Sequence, residues 1–112
     1  MKTIRTNFDR AESRRDRRYA LPPIKVLLDS GHFETANWSL GGFLLPGGPA
    51  LALATEVAGE IVLPADSDAH AFAAEIVRRD DDGVGFRFIE PSSSLIGALD
   101  RVIAGRMLRR RA

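Results

Sequence analysis

Phe72-Ala73-Ala74-Glu75-Ile76-Val77-Arg78-Arg79, then Asp80-Asp81-Asp82, then Gly83-Val84-Gly85-Phe86-Arg87-Phe88-Ile89 is the stretch whose reading decides the fold. Two runs carrying β-branched and aromatic residues flank an acidic turn closed by glycine, the composition of a hairpin with a solvated tip. Val84, Phe86 and Phe88 alternate with Gly85 and Arg87, the period of two of a strand buried on one face. Antiparallel β structure follows, and the segments on either side agree with it.

Upstream, Pro22-Pro23 leads into Ile24-Lys25-Val26-Leu27-Leu28, which fits a strand, and Asp29-Ser30-Gly31-His32 supplies the turn that lets Phe33-Glu34-Thr35-Ala36 return antiparallel. A polar turn over Asn37 to Gly42 precedes Phe43-Leu44-Leu45, a further strand stopped by Pro46-Gly47-Gly48-Pro49. Glu56 to Leu63 reads as the next. Downstream, Pro91 ends the last strand and Ser92-Ser93-Ser94 offers a helix N-cap. Leu95, Leu99, Val102 and Ile103 then recur at helical spacing through about residue 107. Arg106, Arg109, Arg110 and Arg111 follow at the C-terminal end, where cations suit the helix dipole. About five to seven short strands closed by one helix predict a small antiparallel barrel. The expected organisation is a flexible basic arm over residues 1–18, a barrel over 19–91, and a C-terminal helix over 92–112 that packs on the barrel or extends from it.

At 112 residues and 45% hydrophobic content the chain suits one compact core. The absence of cysteine excludes disulfides, thiolate nucleophiles and thiolate metal sites. The N-terminal residues lack the apolar core of a secretory signal. The longest apolar stretch, Leu44 to Leu63, is broken by Pro46, Pro49, glycines, Glu56 and Glu60, so a soluble cytoplasmic protein is the expectation. A net charge of +1 conceals an asymmetry: basic residues gather at the two ends and acidic ones over residues 56–82. No Ser/His/Asp constellation or phosphate-binding glycine loop stands out, which points away from an enzyme. Asp66-x-Asp68-x-His70 has the look of a metal cluster but reads better as a solvated turn, with no metal expected.

The chemistry concentrates in two places. Arg14-Arg15-Asp16-Arg17-Arg18 supplies planar guanidinium forks, which grip phosphate oxygens or the O6/N7 edge of guanine two bonds at a time. Asn37-Trp38-Ser39-Leu40-Gly41-Gly42, some twenty residues later, adds donors and acceptors from Asn37 and Ser39, while Gly41 and Gly42 let a backbone approach a flat ligand. The plain alternatives are a solvated basic tail and a turn whose Asn and Ser satisfy their own backbone. Trp38 has two readings as well: a surface that stacks on a base, or an ordinary packing residue beside a strand.

Taken in order, Arg14-x-x-x-Arg18, Asn37-x-Ser39-x-x-Gly42 and the downstream hairpin resemble the PilZ domain family over about residues 12 to 105. The resemblance implies a six-stranded antiparallel barrel with a C-terminal helix and a bacterial receptor for cyclic di-GMP. It further implies that Arg14 and Arg18, with Arg15 adding a contact, hold guanine and phosphate, that Asn37 and Ser39 hydrogen-bond the ligand, and that Gly41 and Gly42 lie beside it. Ser13 stands where several members carry an additional arginine, which favours a single ligand per protomer over an intercalated pair. In this reading the ligand orders the arm over the barrel and changes a surface that an unidentified partner protein reads. No other cofactor, no DNA or RNA and a monomer are expected. The alternative is a PilZ-like protein-interaction module that does not bind the dinucleotide. A small barrel binding single-stranded nucleic acid through its basic ends is disfavoured by the scarcity of exposed aromatic positions on the strands.

Overall fold

The computed structural model describes residues 17–64 and 68–111. It is mostly β, with one curled antiparallel sheet and a C-terminal helix. The strands are β1 (Lys25–Leu28), β2 (Gly31–Glu34), β3 (Asn37–Trp38), β4 (Gly42–Leu45), β5 (Glu56–Val62), β6 (Ala69–Asp80) and β7 (Gly83–Phe88), followed by helix α1 (Ser93–Arg111). Their order in the sheet is β2-β1-β5-β6-β7-β4-β3.

The strand count differs from the six implied by the resemblance because the chain bends between Glu34 and Asn37. Thr35 N–H donates to the Ile24 carbonyl at 3.0 Å, just before β1, whereas the next residue, Ala36, donates to the Leu44 carbonyl at 2.8 Å on β4. Adjacent residues thus bond to opposite ends of the sheet. What reads in sequence as one strand followed by a turn is two short strands, β2 on β1 and β3 on β4. The two edges are joined by continuous chain at this bend, and the sheet is curled into a half-barrel. Thr35 is buried there, and its hydroxyl oxygen accepts the Ile24 N–H at 3.1 Å, so the bend leaves that amide satisfied.

The inner face is apolar because the alternation in the strands aims one side chain in two at it. Val26, Phe43, Leu45, Ile61, Phe72, Ile76, Phe86 and Phe88 are all buried. Phe43 is their centre, stacked on Phe86 at 4.7 Å and edge-on to Phe72 at 5.5 Å. Such aromatic pairs contribute roughly 0.5–1.5 kcal/mol beyond the area they bury.

Helix α1 begins where the serine cluster predicts. Ser92 Oγ accepts the Leu95 N–H at 3.1 Å and its carbonyl accepts the Ile96 N–H at 3.0 Å, the arrangement of an N-cap. Leu95, Ala98 and Leu99 enter the core, with Val102 and Ile103 packed against it. The helix continues beyond its apolar positions to Arg111, where arginine is a good helix former.

Candidate functional site

The hairpin of β3 and β4 presents the Asn37-to-Gly42 motif. Asn37 pairs with Leu44 and Trp38 with Phe43, so the first two residues of the expected turn are strand and the reversal itself is confined to Ser39-Leu40-Gly41. Ser39 N–H donates to the Gly42 carbonyl at 2.8 Å, and Gly41 N–H donates to Ser39 Oγ at 3.1 Å. Ser39 is 1% exposed. Its side chain therefore holds the turn from within.

Trp38 is 1% exposed as well, its indole N–H donating to the Pro22 carbonyl at 2.7 Å and its ring lying 5.2 Å from that of Tyr19. The packing reading of Trp38 holds: a ring enclosed in the core offers no face on which a base could stack. Gly42 is also explained from inside, because a Cβ placed there would stand 1.9 Å from the Phe86 carbonyl oxygen on β7. Close approach of two strands by itself requires glycine at that position.

The end of the basic arm is carried to this hairpin by a residue that the motif does not name. Tyr19 N–H donates to the Trp38 carbonyl at 2.8 Å and Trp38 N–H donates back to Tyr19 at 3.0 Å, a bridge that lays residues 17–20 along the outer edge of β3. Arg18 is exposed beside it, and its guanidinium donates to Asn37 Oδ1 at 3.0 Å. The last arginine of one motif thus touches the first residue of the other. Arg14 and Arg15, with the rest of the arm to residue 16, lie outside the described residues, as does Asp66 of the Asp-x-Asp-x-His cluster. The register that joins Tyr19 to Trp38 has no local signature; an aromatic one residue after the arginines was the available hint.

On the same outer face β7 places Arg87 opposite Gly42, where it donates to Glu75 of β6 at 2.8 Å. At the tip of the β6–β7 hairpin, Arg78 is hydrogen-bonded to Asp80. That bond, reinforced by the Asp82 amide, holds the Asp80 carboxyl below the usual carboxylate range and raises Arg78. Among the described residues no group of three or more His, Cys, Asp or Glu side chains could hold a metal ion, and no helix is long and apolar enough to cross a membrane.

A curled antiparallel sheet capped by one helix, with a basic strap hydrogen-bonded to a polar hairpin on its outer face, defines a small binding module. The PilZ domain family model matches residues 9–105, most of the chain, and the chain belongs to that family. PilZ domains are binding modules. A search of curated proteins finds no match to the chain.

Proposed function

We propose that this PilZ domain is a cytoplasmic receptor for cyclic di-GMP. The hydrogen bond between Arg18 and Asn37 carries the reading, because it joins the two motifs that together would clamp the ligand. The ligand offers two phosphate charges and two guanine edges, and arginine forks meet both with paired charge-assisted bonds. In this reading Arg18 and, from the arm, Arg14 and Arg15 hold phosphate and guanine. Asn37 contributes hydrogen bonds beside them, and Ser39, Gly41 and Gly42 shape the turn on which Asn37 stands.

The arm is also the route to a partner. Pro22 and Pro23, which follow it, form one wall of a groove of about 340 Å³ whose other side includes Lys25, Glu34, Val62 and Leu63. Since the Pro22 carbonyl is tied to Trp38, tightening the arm over a ligand would move this wall, and a partner protein would read the change.

The second reading, a PilZ-like module that binds protein without the dinucleotide, draws on the enclosure of Ser39, whose oxygen is already used within its own turn. Calorimetric titration of cyclic di-GMP, with GTP and linear pGpG as controls, separates the two. Receptor function requires saturable, selective binding. Arg18→Ala should weaken it by roughly 1.5–3 kcal/mol, on the order of tenfold to a hundredfold. Unchanged affinity in that variant would refute the arm's role, and no binding near a millimolar would favour the protein-binding module.

A further inference from the structure

Arg87 stands directly across from Gly42, and the two strands are tied again where Phe88 N–H donates to the Gly41 carbonyl at 2.9 Å. Directly paired residues of antiparallel strands project to the same face. Trp38, Phe43 and Phe86 pair across β3, β4 and β7, and all are buried. The alternate positions, Asn37, Gly42 and Arg87, consequently belong to the opposite, outer face. Ser39 closes on Gly42, and Gly42 pairs with Arg87. Asn37 lies on β3, two strands from β7, so at about 4.8 Å per strand roughly 10 Å of the outer face separates its strand from the one that carries Arg87, a span that arginine-length side chains can close around a dinucleotide.

The Arg87 side chain is 66% exposed, yet it is engaged by Glu75, whose own side chain is 30% exposed. An exposed ion pair is a weak tether, screened by salt and opposed by side-chain entropy. A guanidinium that meets a phosphate or a guanine edge gains two parallel charge-assisted bonds instead. Exchange of Glu75 for a ligand is thus favourable, and the strength of the internal pair sets how favourable.

We propose that Arg87 and Glu75 form a charge gate on the ligand face. Arg87 is a further binding residue for the phosphate or guanine edge of a cyclic dinucleotide, and Glu75 is the built-in competitor that holds it in the empty protein. The proposal rests on the cyclic di-GMP reading above. Glu56 provides the control: it is paired with Glu75 on the next strand, one strand farther from Arg87, and carries the same charge.

The test is a calorimetric titration of cyclic di-GMP into the wild-type chain and the Arg18→Ala, Arg87→Ala, Glu75→Gln and Glu56→Gln variants, with thermal melts to confirm that each is folded. A working gate makes Arg87→Ala about tenfold weaker, the size of one charge-assisted bond. It makes Glu75→Gln bind several-fold tighter than wild type, and tighter than Glu56→Gln. If Arg18→Ala loses affinity while Arg87→Ala and Glu75→Gln match the wild type, the gate is overturned and the receptor reading stands. Equal tightening in the two glutamate variants reduces the effect to net charge and also overturns the gate. A wild-type chain that binds nothing overturns gate and receptor together.

Discussion

Gly42 and Ser39 show how one motif residue can serve the fold before it serves a ligand. At Gly42 an alanine methyl group would sit 1.9 Å from the Phe86 carbonyl oxygen, and the obstructing atom is backbone, which cannot rotate away. Gly42→Ala is therefore expected to push β4 from β7 and cost about 3 kcal/mol of stability. Urea unfolding followed by Trp38 fluorescence would measure it, and a loss under about half a kcal/mol would show that the strands have room to part. Motif spacing pointed to Asn37, Ser39, Gly41 and Gly42, yet a one-dimensional pattern does not distinguish a glycine needed beside a ligand from one needed beside another strand. For Trp38 the hydrophobic area of the ring settles the matter, because the bend after β2 turns it toward the core.

The β6–β7 hairpin is the element most fully legible in sequence. Its strands, Ala69–Asp80 and Gly83–Phe88, coincide with the expected runs over residues 72–79 and 83–88, and Gly83 sits at φ +140°, a conformation that side chains resist. One irregularity escaped the pattern: pairing passes from Ile76–Phe86 to Arg78–Gly85, so Val77 is an extra residue that bulges outward and is 47% exposed. The tip is held by Arg78 and the Asp82 amide on Asp80, which keep that carboxyl lowered in the folded state. A depressed folded-state value means that the bond contributes above the ordinary carboxylate value of 3.8 and is lost as pH falls through the lower, folded one. Carboxyl-carbon NMR should place the Asp80 midpoint below the ordinary carboxylate value of 3.8, and Arg78→Ala should raise it toward that value. A midpoint indifferent to Arg78 would count against the bond. Because the tip is fully solvated, global stability should change little over this pH range.

At the scale of the molecule, the segment from Arg18 to Pro22, the motif hairpin and the core form one mechanical unit. Arg18 meets Asn37, the next residue bridges to Trp38, and Trp38 is buried in the core and holds the Pro22 carbonyl. A ligand clamped at the outer face should hence stabilise the whole fold cooperatively. At a hundredfold excess over its dissociation constant the gain is about 2.7 kcal/mol, which for a chain of this size raises Tm by on the order of 10 °C. Differential scanning fluorimetry with cyclic di-GMP, against GTP at equal concentration, checks this, and an unshifted Tm under saturating ligand would mean that the binding face is uncoupled from the core. The sequence by itself determined the β class, the hairpin, the capped helix and the two motifs, because each depends on periodicity or on residue types close together in the chain. Only the tertiary structure decided the bend that divides β2 from β3, the inward placement of Trp38 and Ser39, the meeting of Arg18 with Asn37, and the position of Arg87 beside Gly42. Those features depend on the register between strands far apart in sequence, and register is set by how the whole apolar face packs.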